Sequence, residues 1–99
     1  MKLTISPAQC RAARALIAWS QDQLAEASRV ATATIATFET GKRVPYPRTI
    51  DDIREALENA GIVFIDKNGD GPGVRLRKDV YEAEVAVRAG AALRALKKE

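Results

Sequence analysis

Ninety-nine residues with a net charge of +3, 46% of them apolar and 29% charged, describe one small globular domain with a modest core and no compositional sign of disorder. One cysteine and no histidine rule out an internal disulfide and a multi-cysteine zinc site, and leave no nucleophile–base pair of the hydrolase kind, so no enzyme, catalytic residue, cofactor or metal is expected. No apolar run approaches the roughly 18 residues of a membrane span, and MKLTIS lacks the apolar centre of a signal peptide, so a cytoplasmic protein without a membrane partner is expected.

After the apolar lead MKLTI, Ser6-Pro7-Ala8-Gln9 forms an S-x-x-Q capping box with proline at the first helical position, and Ile5 and Cys10 have the spacing of its hydrophobic staple. A helix over residues 7–18 should follow, with Ala13, Leu16 and Ile17 turned inward and Cys10 on or near that face as a small buried hydrophobe. Ser20 and Gln23 make a second capping box, stapled by Trp19 and Leu24. Leu24, Ala25 and Ser28 then mark one short helical face and Ile35 and Phe38 another, with Val30 between them. Each face is about two turns long, too short to be stable alone. Two such helices joined by three or four residues have the spacing of a helix-turn-helix, whose second helix enters the major groove of DNA. Gly41 closes that second helix, where a left-handed residue costs least.

Lys42-Arg-Val-Pro-Tyr-Pro-Arg48 is a loop with two prolines and three cations. Thr49-Ile50-Asp51-Asp52 should begin a fourth helix with acids in its first turn; Ile50, Ile53 and Leu57 give it an apolar stripe, and Gly61 ends it. Ile62–Ile65 is largely β-branched, residues 74–77 alternate apolar and basic, and eight turn-forming residues separate the two runs, which predicts a hairpin. Two strands are marginal alone, so the hairpin must pack on the helices or pair with another subunit. Arg75 and Arg77 share one face of the second strand and read as a solvated face. Asp66, Asn68, Asp70 and Gly71 match the start of an EF-hand loop, but its twelfth position is Arg77, a cation where calcium needs a bidentate carboxylate. From Asp79 a last amphipathic helix carries Val85, Ala89, Ala92, Leu93 and Leu96 on one side, as a dimer face or as a lid on the hairpin, and Gly90 weakens it.

Charge is unevenly placed. Residues 1–49 hold seven Lys/Arg against three Asp/Glu, whereas residues 50–99 hold nine against ten. The excess positive charge lies on the half with the two short helices, as phosphate binding favours.

The run Q-D-Q-L-A, then V-A-T-A-T-I, then F-E-T-G-K-R resembles the Xre/Cro-type helix-turn-helix family of phage and bacterial repressors over residues 6–61. The resemblance rests on Gln21, Leu24-Ala25, Val30, Thr34-Ile35, Glu39 and Gly41-Lys42 falling in one register. It implies a mainly α fold: a four-helix Cro/repressor-like core over residues 1–61, followed by the hairpin and helix of residues 62–99 as a candidate dimerisation element. One position departs, Arg29, where the family usually has glycine; at φ > 0 an arginine there is strained by roughly 1 kcal/mol. The resemblance also pairs Arg14 of the first helix with Glu39 at the end of the reading helix, a structural ion pair.

By the same resemblance, base contacts fall on Thr32, Ala33, Thr34, Ala36 and Thr37. None of these carries the two-pronged fork of Arg on guanine or Asn/Gln on adenine; threonine offers one hydroxyl and a methyl that suits thymine. Phosphate contacts fall on Gln21, at a helix N-terminus, and on Arg29, Lys42, Arg43 and Arg48. The function expected is a sequence-specific, double-stranded-DNA-binding transcriptional regulator, a repressor acting by operator occupancy as a homodimer. The alternatives are an antitoxin-type regulator that also binds a protein partner through its C-terminal segment, and a protein-interaction adaptor that keeps the fold.

Overall fold

Ser6 and Ser20 each accept a backbone N–H from the glutamine three residues on, at 3.1 Å, and each glutamine's Oε1 accepts the serine N–H in return at 2.8 Å. These two boxes start α1 (Pro7–Leu16) and α2 (Gln21–Ser28) in a computed structural model that describes residues 4–97, with side chains up to residue 91. The order continues α3 (Thr32–Glu39), α4 (Pro47–Asn59), β1 (Ile62–Ile65), β2 (Gly73–Leu76) and α5 (Lys78–Lys97). The chain is mainly helical, with one two-stranded antiparallel sheet and a C-terminal helix.

The core is shared by all but the last helix. Cys10 and Ala13 of α1, Leu24 of α2, Ile35 and Phe38 of α3, and Ile50, Ile53, Ala56 and Leu57 of α4 form one buried cluster, joined by Val30 from the turn and by Ile62 and Phe64 from β1. Ile62 pairs with Leu76 and Phe64 with Val74, so one face of the hairpin lies on the helices. Arg54 of α4 lies over the Phe64 ring, 5.3 Å from its centre.

Helix ends explain several departures from expectation. α1 stops at Leu16, two residues early: Ala18 takes φ 55°, and the N–H groups of Ala18 and Trp19 return to the carbonyls of Ala15 and Arg14 at 3.2 and 2.9 Å. Leu16 is not inward but 39% exposed. It is the last residue of α1 and lines an open cavity with residues of β2 and α5. α3 closes in the same way through Gly41, at φ 76°, with Gly41 N–H to Phe38 and Lys42 N–H to Thr37. α4 begins at Pro47, whose missing N–H costs nothing at a first helical position. Asp51 and Asp52 therefore lie in its second turn, and the expected acids in the first turn are absent.

The second strand is Gly73–Leu76 rather than residues 74–77. Arg77 lies just past the strand: its N–H still bonds to the opposite Gly61 carbonyl at 2.7 Å, but α5 begins at the next residue, and its side chain pairs with Asp79 at 2.7 Å. Gly61 itself, at φ 108°, closes α4 so near α5 that a Cβ would stand 2.7 Å from Val80. α5 starts at Lys78, and beyond Val80 it diverges from the core: Val85 is 42% exposed and Ala89 is exposed, so this side does not close over the hairpin. The side chains of Ala92, Leu93 and Leu96 lie outside the described residues. No described helix is long and apolar enough to cross a membrane.

Arg29 is the C-cap of α2 with φ 59° and ψ 29°, a left-handed arginine. Its turn is supported by Ser28, whose hydroxyl donates to the Leu24 carbonyl at 2.7 Å and accepts from Val30 N–H at 3.3 Å. Replacing Arg29 with Gly should raise stability by about 0.5–1 kcal/mol, the left-handed penalty less glycine's extra unfolded freedom. Urea denaturation checks this, and a loss of stability would show that the arginine side chain contributes more than its backbone costs.

Candidate nucleic-acid interface

Glu39 ends α3 and fixes how that helix sits. Its carboxylate is only 2% exposed and accepts bonds from three residues on two other helices. Arg14 of α1 donates through Nε and Nη2 at 2.7 and 2.6 Å, Cys10 through its thiol at 3.1 Å, and Gln21 of α2 through Nε2 at 3.0 Å. Arg14 also donates to the Trp19 carbonyl at 3.0 Å, and Arg11 donates to the Glu39 carbonyl. Burial alone would raise the Glu39 carboxyl; the bonds from Arg14, Gln21 and Cys10 outweigh it and hold the pKa below the usual carboxylate range. Bonding to Glu39 raises the Arg14 pKa, while burial, reinforced by Glu39, pushes the Cys10 thiol far up and leaves it a protonated donor. Cys10 is thus a buried hydrogen-bonding group and not merely a small hydrophobe.

With α3 anchored at its C-terminus, Ala33 is exposed and Thr32, Thr34, Ala36 and Thr37 are half-buried. Two of the three threonine hydroxyls are engaged within the chain. Thr32 donates to Asp22 of α2 at 3.0 Å, and Thr37 donates back to its own helix, 3.1 Å from the carbonyls of both Ala33 and Thr34. Ala33, Thr34 and Thr37 of α3 line an open cleft of about 820 Å³ together with Val44, Pro45 and Tyr46 of the following loop. Thr32 and Ala36 do not line it.

Arg29 and Arg43 stand at this cleft with one carboxylate, Asp52; Gln21, Lys42 and Arg48 do not line it. Arg29, Lys42, Arg43 and Arg48 are all exposed, and among the described residues none of the four forms an ion pair. Several cations elsewhere behave otherwise: Arg54, Arg77, Lys78 and Arg88 each pair with a carboxylate two or four residues away. The first turns also differ. α1 and α2 have full capping boxes, whereas α3 and α4 have no side-chain cap bond at Ala31 or Tyr46. Arg48 sits in the uncapped first turn of α4, where the helix dipole disfavours a cation unless an anion is near. Gln21 has spent one amide N–H on Glu39 and keeps a second.

Chemically, the exposed and unpaired cations of this surface are suited to an anion. Among the described residues no group of three or more His, Cys, Asp or Glu could hold a metal ion. Two residues of the site, Val44 and Tyr46, escape a reading of the sequence for charge and motif; they are 87% and 83% exposed. A signal for them exists, two large apolar residues alternating with two prolines. Proline fixes φ and holds them out. Compared with protein-family models and with curated proteins, the chain matches none.

Proposed function

We propose that this chain is a sequence-specific DNA-binding regulator with a Cro/repressor-like core, which acts by occupying an operator. The observation that carries the reading is the set of four exposed cations without ion pairs, Arg29, Lys42, Arg43 and Arg48, on the turn before α3, the loop after it and the first turn of α4. Such cations beside two uncapped helix N-termini suit phosphates on either side of a groove-bound helix. In this reading Ala33, Thr34 and Thr37, with Thr32 and Ala36, face base edges, and the second amide N–H of Gln21 takes a phosphate.

One eight-residue helix reads few base pairs, so the regulator binds as a two-fold dimer with half-sites about 34 Å apart. The dimer element is the C-terminal segment, where Tyr81, Val85 and Val87 of α5 are exposed. The test is selection from a random duplex pool at two salt concentrations. An enriched inverted repeat is expected. Replacing both Lys42 and Arg43 with Ala should weaken binding to every sequence and flatten the slope of log K against log salt by about 2, near 0.9 for each phosphate left unneutralised. An unchanged slope removes the pair from the phosphate-binding set. No binding to any duplex overturns the reading and leaves a protein-interaction role for the same surface.

A further inference from the structure

Beside its charged groups, Arg29, Arg43 and Asp52, the α3 cleft carries apolar surface where a reading surface is usually polar. Ala33 offers a methyl, Thr37 turns its hydroxyl back into the helix, and Val44, Pro45 and Tyr46 add aliphatic and aromatic surface to the same cleft. Of the two α3 threonines lining it, only Thr34 keeps a hydroxyl with no partner among the described residues. Val44 and Tyr46 contribute nothing to the core at 87% and 83% exposure, yet the prolines beside them hold them next to α3. Apolar side chains held in water next to unpaired cations fit a partner that is anionic at its edges and apolar at its centre.

Duplex DNA meets that description at one kind of base. In the major groove only thymine shows an apolar group, its 5-methyl, while the other edges show donors and acceptors that ask for forks which Ala33, Thr34, Thr37, Val44 and Tyr46 do not carry. We propose that the cleft of Ala33, Thr34, Thr37, Val44 and Tyr46 reads thymine methyl groups, so that the chain selects A·T-rich duplex by apolar contact. Arg29 and Arg43 at its edge take the flanking phosphates, and Asp52, the one carboxylate there, keeps phosphate from settling inside the cleft. The inference rests on the DNA-binding reading above and adds what that reading leaves open, the base that is recognised.

The experiment uses the full chain and the duplex that selection enriches, resynthesised with deoxyuridine at every thymine. Deoxyuridine pairs identically and lacks only the methyl. Affinity should fall about fourfold for each methyl that the cleft covers, by the usual value of one buried carbon, and at least tenfold in all. The salt slope should not move, because the phosphates are untouched. In a variant with Val44→Ser and Tyr46→Ser, the ratio between the two duplexes should shrink at least fourfold. Equal affinity for both duplexes, an enriched site poor in thymine, or no enrichment overturns the inference while the DNA reading stands on salt-dependent binding. A ratio unchanged in the double variant also overturns it, since the methyls would then be read outside the cleft. No binding to either duplex overturns the DNA reading and the inference together.

Discussion

Replacing Arg14 with Met should destabilise the fold by about 3–5 kcal/mol at neutral pH, the usual cost of stranding one member of a buried pair. For a domain of this size that lowers the melting temperature by more than about 10 °C. The variant keeps the volume of the side chain and removes the cation 2.6 Å from Glu39, leaving a carboxylate 2% exposed with only Gln21 and Cys10 as donors. The pH dependence makes the prediction specific. In the parent chain the folded Glu39 pKa lies below its unfolded value. Its contribution is therefore complete above the ordinary glutamate pKa and is lost as pH falls through the folded one. Without Arg14 the upward push of burial prevails and the sign reverses. The folded variant then favours the protonated acid, and acidification relieves it. Thermal denaturation at pH 7 and near pH 4 should show the gap between the two proteins narrowing. A gap that stays constant would mean that Arg14 acts by packing rather than by charge.

Replacing Gln9 with Glu should cost about 2–3 kcal/mol at neutral pH, although the two side chains have nearly the same shape. Gln9 is buried and uses every part of its amide: Oε1 completes the capping box of α1, and Nε2 donates across the fold to Gly73 at 3.0 Å and to Ile65 at 3.4 Å. Glutamate preserves the cap and turns the second function round, placing a carboxylate oxygen against two carbonyls at the loop end of the hairpin. Two hydrogen bonds at about 1 kcal/mol each are lost, and two buried acceptors lose their donor. Protonation restores one donor, so the deficit should shrink in acid. Urea denaturation at about pH 7 and about pH 3, either side of the ordinary glutamate range, checks this, with Gln9→Met as the uncharged control. A Glu variant as stable as the parent at neutral pH would show the hairpin is held by its apolar face alone.

The features legible in the sequence are those whose causes are local. Ser6 with Gln9, Ser20 with Gln23, Gly41 after α3 and the stripe of Ile50, Ile53 and Leu57 depend on neighbours within a turn or two, and the structure places each as its spacing suggests. The meeting of Arg14 with Glu39 spans 25 residues and follows from resemblance alone, because no periodicity links two distant charges. The second role of Gln9 is hidden for the same reason, its carbonyl partners lying 56 and 64 residues away. The start of α4 is misread because acids at Asp51 and Asp52 compete with Pro47 as a start signal, and proline's fixed φ is the stronger constraint. An apolar stripe on α5 says that a partner is favoured and not where the partner is. Of the candidate site, the cations are legible from charge placement, whereas Val44 and Tyr46 gain meaning only once the loop is seen beside α3.

The four donors gathered on Glu39 also govern how the molecule opens. α1, α2 and α3 meet at this single carboxylate, so none can peel away without leaving part of it unsatisfied in the core. The three helices therefore form one cooperative unit that unfolds as a whole rather than fraying element by element. With its end bound into such a unit, α3 is stiff against tilting. When it meets a surface that does not quite match, the adjustment has to come from the other partner.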